Sequence, residues 1–174
     1  MKKKLYIIFT MMLIVMLTTT PVFARGAIKL TNISFSLGSL IALGEVKGLG
    51  NTDVLMVLEG SGPADVLCVN NGENPVPGQS SPKVSSIGTQ LLDGGQERDK
   101  NGKTDFITIA STDDPLSWDE AGCPNSNWVG VIDFVYWENA TISVYDLSGN
   151  FILQQDYTCV TTRDPDSITC TLVN

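Results

Sequence analysis

The sequence predicts an all-β chain, an antiparallel Greek-key or Ig-like β-sandwich held by two disulfides. Three observations carry that expectation. Short runs rich in β-branched and aromatic residues recur along the chain, with Gly, Pro, Asn and Asp between them. No long stretch places apolar residues at helical spacing. The chain holds four cysteines, Cys68, Cys123, Cys159 and Cys170, an even count suited to two bridges.

The first residues stand apart from the fold. Lys2-Lys3-Lys4 precede an apolar run, Leu5–Leu17, and Val22-Phe23-Ala24 has the small-residue ending that a signal peptidase cuts. Residues 1–24 therefore read as a cleaved signal peptide and 25–174 as a single β-sandwich domain. The apolar run is shorter than the roughly 20 residues a spanning helix needs, and no cysteine follows it for a lipid anchor. The expectation is a bacterial export signal, a secreted, extracellular chain, and no transmembrane anchor in the mature form.

The elements follow in order. Ala27–Leu37 alternates Ile33, Phe35 and Leu37 with Ser34 and Ser36, the pattern of a half-buried strand. Leu40–Val46 is the next strand, with Gly44 as a candidate bulge. Thr52–Glu59 is nearly all apolar, which suits a central strand. Gly60–Pro63 reads as a turn, and Ala64–Val69 as a strand carrying Cys68. Asn70–Pro82 is a long turn-rich connection. Lys83–Leu92 and Thr104–Ala110 are strands on either side of the most polar stretch, Asp93–Lys103. Ser111–Ser126 is a second long connection, holding Trp118 and Cys123.

The strongest strand signal is Asn127–Asn150. Val129 to Trp137 and Thr141 to Tyr145 read as two strands folded back on each other at Glu138-Asn139, the central hairpin of the core. Asp133 interrupts this apolar run, so it belongs at an edge or in a satisfied polar site. Adjacent Tyr136 and Trp137 must point to opposite faces. Trp128, Tyr136 and Trp137 read as core first and as an aromatic binding face second. Phe151–Thr162 and Ser167–Val173 close the chain, giving about nine or ten strands.

The last two strands suggest one disulfide. A turn symmetric about Arg163–Asp166 sets Cys159 opposite Cys170, close enough to bridge, whereas a turn shifted by one residue sets Cys170 opposite Thr161. The symmetric case leaves Cys68 to pair with Cys123, which pins the two long connections together.

Charge and composition narrow the function. The chain carries 19 acidic and 11 basic residues, a net charge of −8; cleavage takes three lysines and leaves −11. That balance disfavours nucleic acid and anionic membranes as partners. There is no histidine. Ser-His-Asp and Cys-His catalysis and His-ligated metal sites are therefore excluded.

Two phrases resemble a known group. These are C-x-N-x-G-x-N-x-x-P-G-Q at Cys68–Gln79 and C-P-N-x-N-W at Cys123–Trp128. They are similar to a group of small exported bacterial β-proteins without an established activity. The resemblance implies export and an all-β fold, and it assigns no catalytic residues.

Two stretches carry candidate chemistry. Glu97, Asp99, Asn101 and Asp105 sit at positions one, three, five and nine around Gly102, a spacing similar to the first part of a Ca2+ loop. Thr108 occupies the position where such a loop places its bidentate carboxylate, and a polar hairpin turning at Asn101-Gly102 is the plain alternative. Trp118 is flanked by Asp114, Asp119 and Glu120, an arrangement that suits stacking on a sugar face or, with the right carboxylate separation, glycoside hydrolysis. The plain alternative is an acidic loop whose tryptophan packs on the sandwich end. Asn32-Ile33-Ser34 and Asn139-Ala140-Thr141 match the glycosylation pattern, which carries no weight in bacterial export.

These features point to a secreted, non-enzymatic binding or surface-interaction protein, with an extracellular protein or a glycan as partner. A carbohydrate-binding module, or one that hydrolyses its glycan, is the first alternative. A structural, self-assembling surface protein is the second.

Overall fold

The structure is a computed structural model that describes residues 27–70, 72, 74–95, 103–112 and 115–173. The chain is all-β and antiparallel, with no helix among the described residues and with both disulfides formed. Its ten strands are β1 (Lys29–Ser36), β2 (Leu40–Lys47), β3 (Val54–Val69), β4 (Val76–Pro77), β5 (Lys83–Leu92), β6 (Lys103–Thr112), β7 (Val129–Val135), β8 (Asn139–Asp146), β9 (Phe151–Arg163) and β10 (Asp166–Leu172). Ladders join them in the order β1-β2-β6-β5-β3-β8-β9-β10, with β4 and β7 also on β3. The sheet curls until it is nearly a barrel. Phe35 of β1 meets Tyr157 of β9 edge to face, with ring centroids 5.0 Å apart, across the closing seam.

Strand β3 organises the molecule. Its 16 residues alternate without a break, every even position from Val54 to Cys68 buried. The expected turn at Gly60–Pro63 is absent. These glycines face inward where a side chain does not fit: a Cβ on Gly62 would lie 2.0 Å from the Tyr136 carbonyl oxygen, and one on Gly60 would meet Leu40. Close packing, not chain reversal, is what glycine supplies here.

The expected central hairpin is also corrected. β7 and β8 do not pair with each other; both run antiparallel to β3, β7 along Ala64–Val69 and β8 along Val54–Ser61. Residues between them stay tied to β3, through Tyr136 N–H to the Pro63 carbonyl (2.9 Å) and Glu138 N–H to the Ser61 carbonyl (3.0 Å). Glu138-Asn139 lacks the glycine that a two-residue hairpin turn favours, and the chain continues along β3 with its pairing offset by one residue between Ala64–Val135 and Ser61–Asn139. Strand alternation from buried Val135 carries Trp137 into the core, where it is 1% exposed, while Tyr136 points outward.

The bulge also lies elsewhere. Gly44 pairs in straight register with Phe106, and the register shift falls in β1 between Thr31 and Ser34. Asn32 there adopts φ 57°, a left-handed conformation that asparagine tolerates. The last hairpin matches the symmetric expectation: Thr162 faces Ser167 and Cys159 faces Cys170.

Inside the barrel, Leu40, Val46, Val54, Met56, Leu58, Phe106, Ile142 and Val144 form the core. Burial of Tyr157 pushes its phenol up to about 12. β3 then projects past the barrel, and its second half, with β4 and β7, makes an extension. There the Cys68–Cys123 bridge (Cα–Cα 5.6 Å) clips the two long connections together. Two disulfides mark an oxidising environment, and no described helix is long and apolar enough to cross a membrane.

Candidate functional site

The extension is built from two connections that cross. Residues 117–122 form one tight turn. Ser117 N–H donates to Glu120 Oε2 at 3.1 Å, and the Ser117 hydroxyl donates to the same oxygen, so the Glu120 side chain caps the start of the turn. Gly122, at φ 66°, closes the turn, and Cys123 N–H donates to the Trp118 carbonyl at 2.7 Å. The Ser117-x-x-Glu120 spacing was a legible sequence signal for this turn. Below it, Leu116 and Gly130 exchange backbone hydrogen bonds of 2.9 and 3.0 Å, fixing the connection to β7. From the other side, Gly78 N–H donates to the Val66 carbonyl (2.8 Å) and Ser80 Oγ donates to the Glu120 carbonyl.

Beyond the bridge the two connections mirror each other. Asn70 and Asn125 each stand two residues after a bridged cysteine. Asn70 Oδ1 accepts from Gly72 N–H at 2.9 Å, and Asn125 Oδ1 accepts from Asn127 N–H at 3.0 Å. Each asparagine thereby spends its carbonyl on the backbone and keeps its NH2 for something else. Between them lies a hollow of about 440 Å³ lined by Asn70, Gly72, Asn74, Asn125, Asn127 and Trp128. Side-chain amides and one half-buried indole therefore surround a space that the disulfide holds in register. These residues stood in the two resemblance phrases, but the sequence did not show that the phrases meet. The repeated Cys-x-Asn was the signal that paired them.

The residues expected to bind are placed as follows. Trp118 is exposed, at 41%, on the capped turn and outside the hollow's lining. Glu120 is engaged by Ser117, and the Ser117 hydrogen bond holds the Asp119 carboxyl below its usual range. Asp114 lies outside the described residues. Of the proposed Ca2+ ligands, Glu97, Asp99 and Asn101 also lie outside them. Asp105 is on the outward face of β6, opposite Glu45 of β2. Glu45 itself bridges Lys103 at 3.1 Å and Lys47 at 3.7 Å, and Lys103 holds its carboxyl below the usual range. The aromatic trio is split: Trp137 in the core, Trp128 at the hollow, Tyr136 elsewhere.

A second hollow, of about 390 Å³, lies at the barrel mouth between the β1–β2 turn and β7, with Asp133, Phe134, Trp137 and Asp166 among its lining. Asp133 there is in a satisfied polar site, since Arg163 binds it at 2.5 Å and Asp65 at 2.9 Å. Arg163 also lies 5.4 Å over the Phe134 ring. Tyr136 donates its hydroxyl to Asp65 at 2.9 Å, and that carboxylate raises the Tyr136 phenol above its ordinary value. This network consumes its own charges, whereas the asparagine hollow presents unspent donors and acceptors.

Comparison of the chain with protein-family models, curated proteins and solved structures finds no match.

Proposed function

We propose that the protein is an exported, non-enzymatic binding protein that takes a neutral, hydroxyl-rich ligand of the glycan class in the asparagine hollow. One observation carries this: four side-chain amides and Trp128 converge on one space, brought there by the Cys68–Cys123 bridge. A sugar hydroxyl both donates and accepts, and a primary amide offers both in return. The apolar face of a pyranose stacks on an indole. A chain of net charge −8 repels polyanions, which favours an uncharged ligand. The curled sheet serves here as a Greek-key or Ig-like sandwich does, as a rigid frame with binding loops at one end.

The experiment is a glycan array probed with the mature protein, Trp128→Ala, Asn74→Ala and Trp118→Ala, each checked for an unchanged fold by circular dichroism. Retained glycans should be lost with Trp128→Ala, weakened with Asn74→Ala and kept with Trp118→Ala. An empty array, or retention that needs Trp118 and not Trp128, overturns the assignment.

A further inference from the structure

The outer face of β5 and β6 breaks the rule of polar residues facing water. Strand alternation turns Ile87, Leu91, Ile107 and Ile109 outward, exposed at 61%, 61%, 56% and 52%. The ladder sets Ile109 beside Ile41 and Ile107 beside Leu43 of β2, both half-buried and facing the same way. On the other flank Leu55 of β3 stands opposite Leu91. Together these positions make a face on the order of 600 Å², at the upper end of what a soluble monomer leaves uncovered. That is also near the roughly 600–800 Å² per partner of a standard interface.

The two ends of this face carry opposite charge. At one end Lys29, Lys47 and Lys103 stand in one row across β1, β2 and β6 and outnumber the nearby carboxylates of Asp105 and of Glu45, which Lys47 and Lys103 bridge. At the other end is a polar hollow of about 320 Å³, in which Ser61, Ser85, Ser111, Asn139 and Thr141 surround the exposed carboxylate of Glu59. Glu59 has no ion-pair partner among the described residues. It lies beside Ile87, in the row of Ser111.

From these observations we infer that the face packs on a second copy of this chain about a two-fold axis. A two-fold axis lying in the plane of the contact, crossing the Ile107 and Ile109 rows at right angles to the line from Lys47 to Glu59, exchanges the two ends. At about 3.3 Å per residue the lysine row and the Glu59 hollow lie roughly 12–15 Å on either side of it. The operation therefore lays the lysines of each copy over the hydroxyl-lined carboxylate of the other, while the aliphatic rows cover one another. An isologous contact needs this self-complementarity. Elsewhere the acidic surface opposes self-association. β1, β2, β5 and β6 carry four lysines against Glu45 and Asp105, so a like copy meets the least repulsion on this side.

Sedimentation velocity over a concentration series of the mature protein tests this, with circular dichroism as the fold control. The expected result is a dimer. Ile107→Glu with Leu91→Glu, both at outward positions, should give a monomer at every concentration with an unchanged spectrum. Glu59→Lys should weaken the dimer about tenfold, and adding Lys47→Glu should recover most of that loss. A wild-type monomer throughout, or a dimer indifferent to the Ile107/Leu91 pair, overturns the inference. So does a monomer that floats with phosphatidylcholine vesicles until that pair is changed, which would make lipid the occupant.

Discussion

Arg163 and Asp65 are 98 residues apart in the chain and 2.9 Å apart in space. The pair ties the end of β9 to the projecting half of β3, with Asp133 and Tyr136 gathered around it. Its members are well exposed, so its contribution to stability is small. Its spectroscopic effect is larger. Asp65→Asn should bring the Tyr136 phenol down towards its ordinary value, because the carboxylate is the main cause of its rise. Ultraviolet titration of the variant against wild type reads this directly; identical tyrosine titrations would refute it.

The two bridges should differ in weight. Cys68–Cys123 closes a separation of 55 residues and Cys159–Cys170 one of 11. On the chain-entropy account the first contributes about 4 kcal/mol and the second about 3 kcal/mol. Paired Cys→Ala variants, unfolded in urea, give the order. The Cys68/Cys123 variant should be the less stable of the two, and the reverse order would show that the loop account does not hold here.

Gly62→Ala should be severe. Its Cβ would meet the Tyr136 carbonyl oxygen at 2.0 Å, backbone that cannot swing aside. A loss of at least about 2 kcal/mol is expected, since overpacking here shifts the β3–β7 pairing itself. Gly72→Ala, whose nearest neighbours are side-chain amides at 3.1 and 3.7 Å, is the milder control. Equal melting temperatures for the two variants would contradict the packing described.

Stability should be level across neutral pH. The Glu45, Asp119 and Asp146 carboxyls are all held low, by Lys103, Ser117 and Asn150 respectively. A folded-state pKa below the unfolded one means that these contributions are present above roughly pH 4 and are lost as pH falls through the folded values. Tyr136 and Tyr157 are raised, so theirs are present below about pH 10 and are lost as pH rises past it, towards about 12 for Tyr157. With no histidine to titrate between, the melting temperature should hold from about pH 5 to 9 and fall on either side. A step near pH 6.5 would count against this account.

Much of the strand content was legible because alternation and turn residues are local signals. β1, β2, β5, β6, β9 and β10 fall within a few residues of their expected spans. The Cys159–Cys170 bridge was legible as one of the two registers that the Arg163–Asp166 turn allowed, and the symmetric one is formed. Two features were not. Gly60 and Gly62 look like a turn until Leu40 and the Tyr136 carbonyl are placed against them. Glu138-Asn139 looks like a reversal until its hydrogen bonds to β3 are known. Both depend on partners far away in sequence, which no window of residues contains. The asparagine hollow shared that difficulty. Its residues were visible as phrases, but their meeting depends on the bridge between Cys68 and Cys123.

Strand β3 belongs to the barrel over its first half and to the clipped extension over its second, with no loop between. A hinge requires a segment whose dihedral angles change freely, and a doubly paired, unbroken strand offers none. The hollow is thus fixed in orientation to the barrel. Pull or torque applied at the hollow passes straight along β3 into the core instead of swinging on a tether, as a handle cast in one piece with its blade.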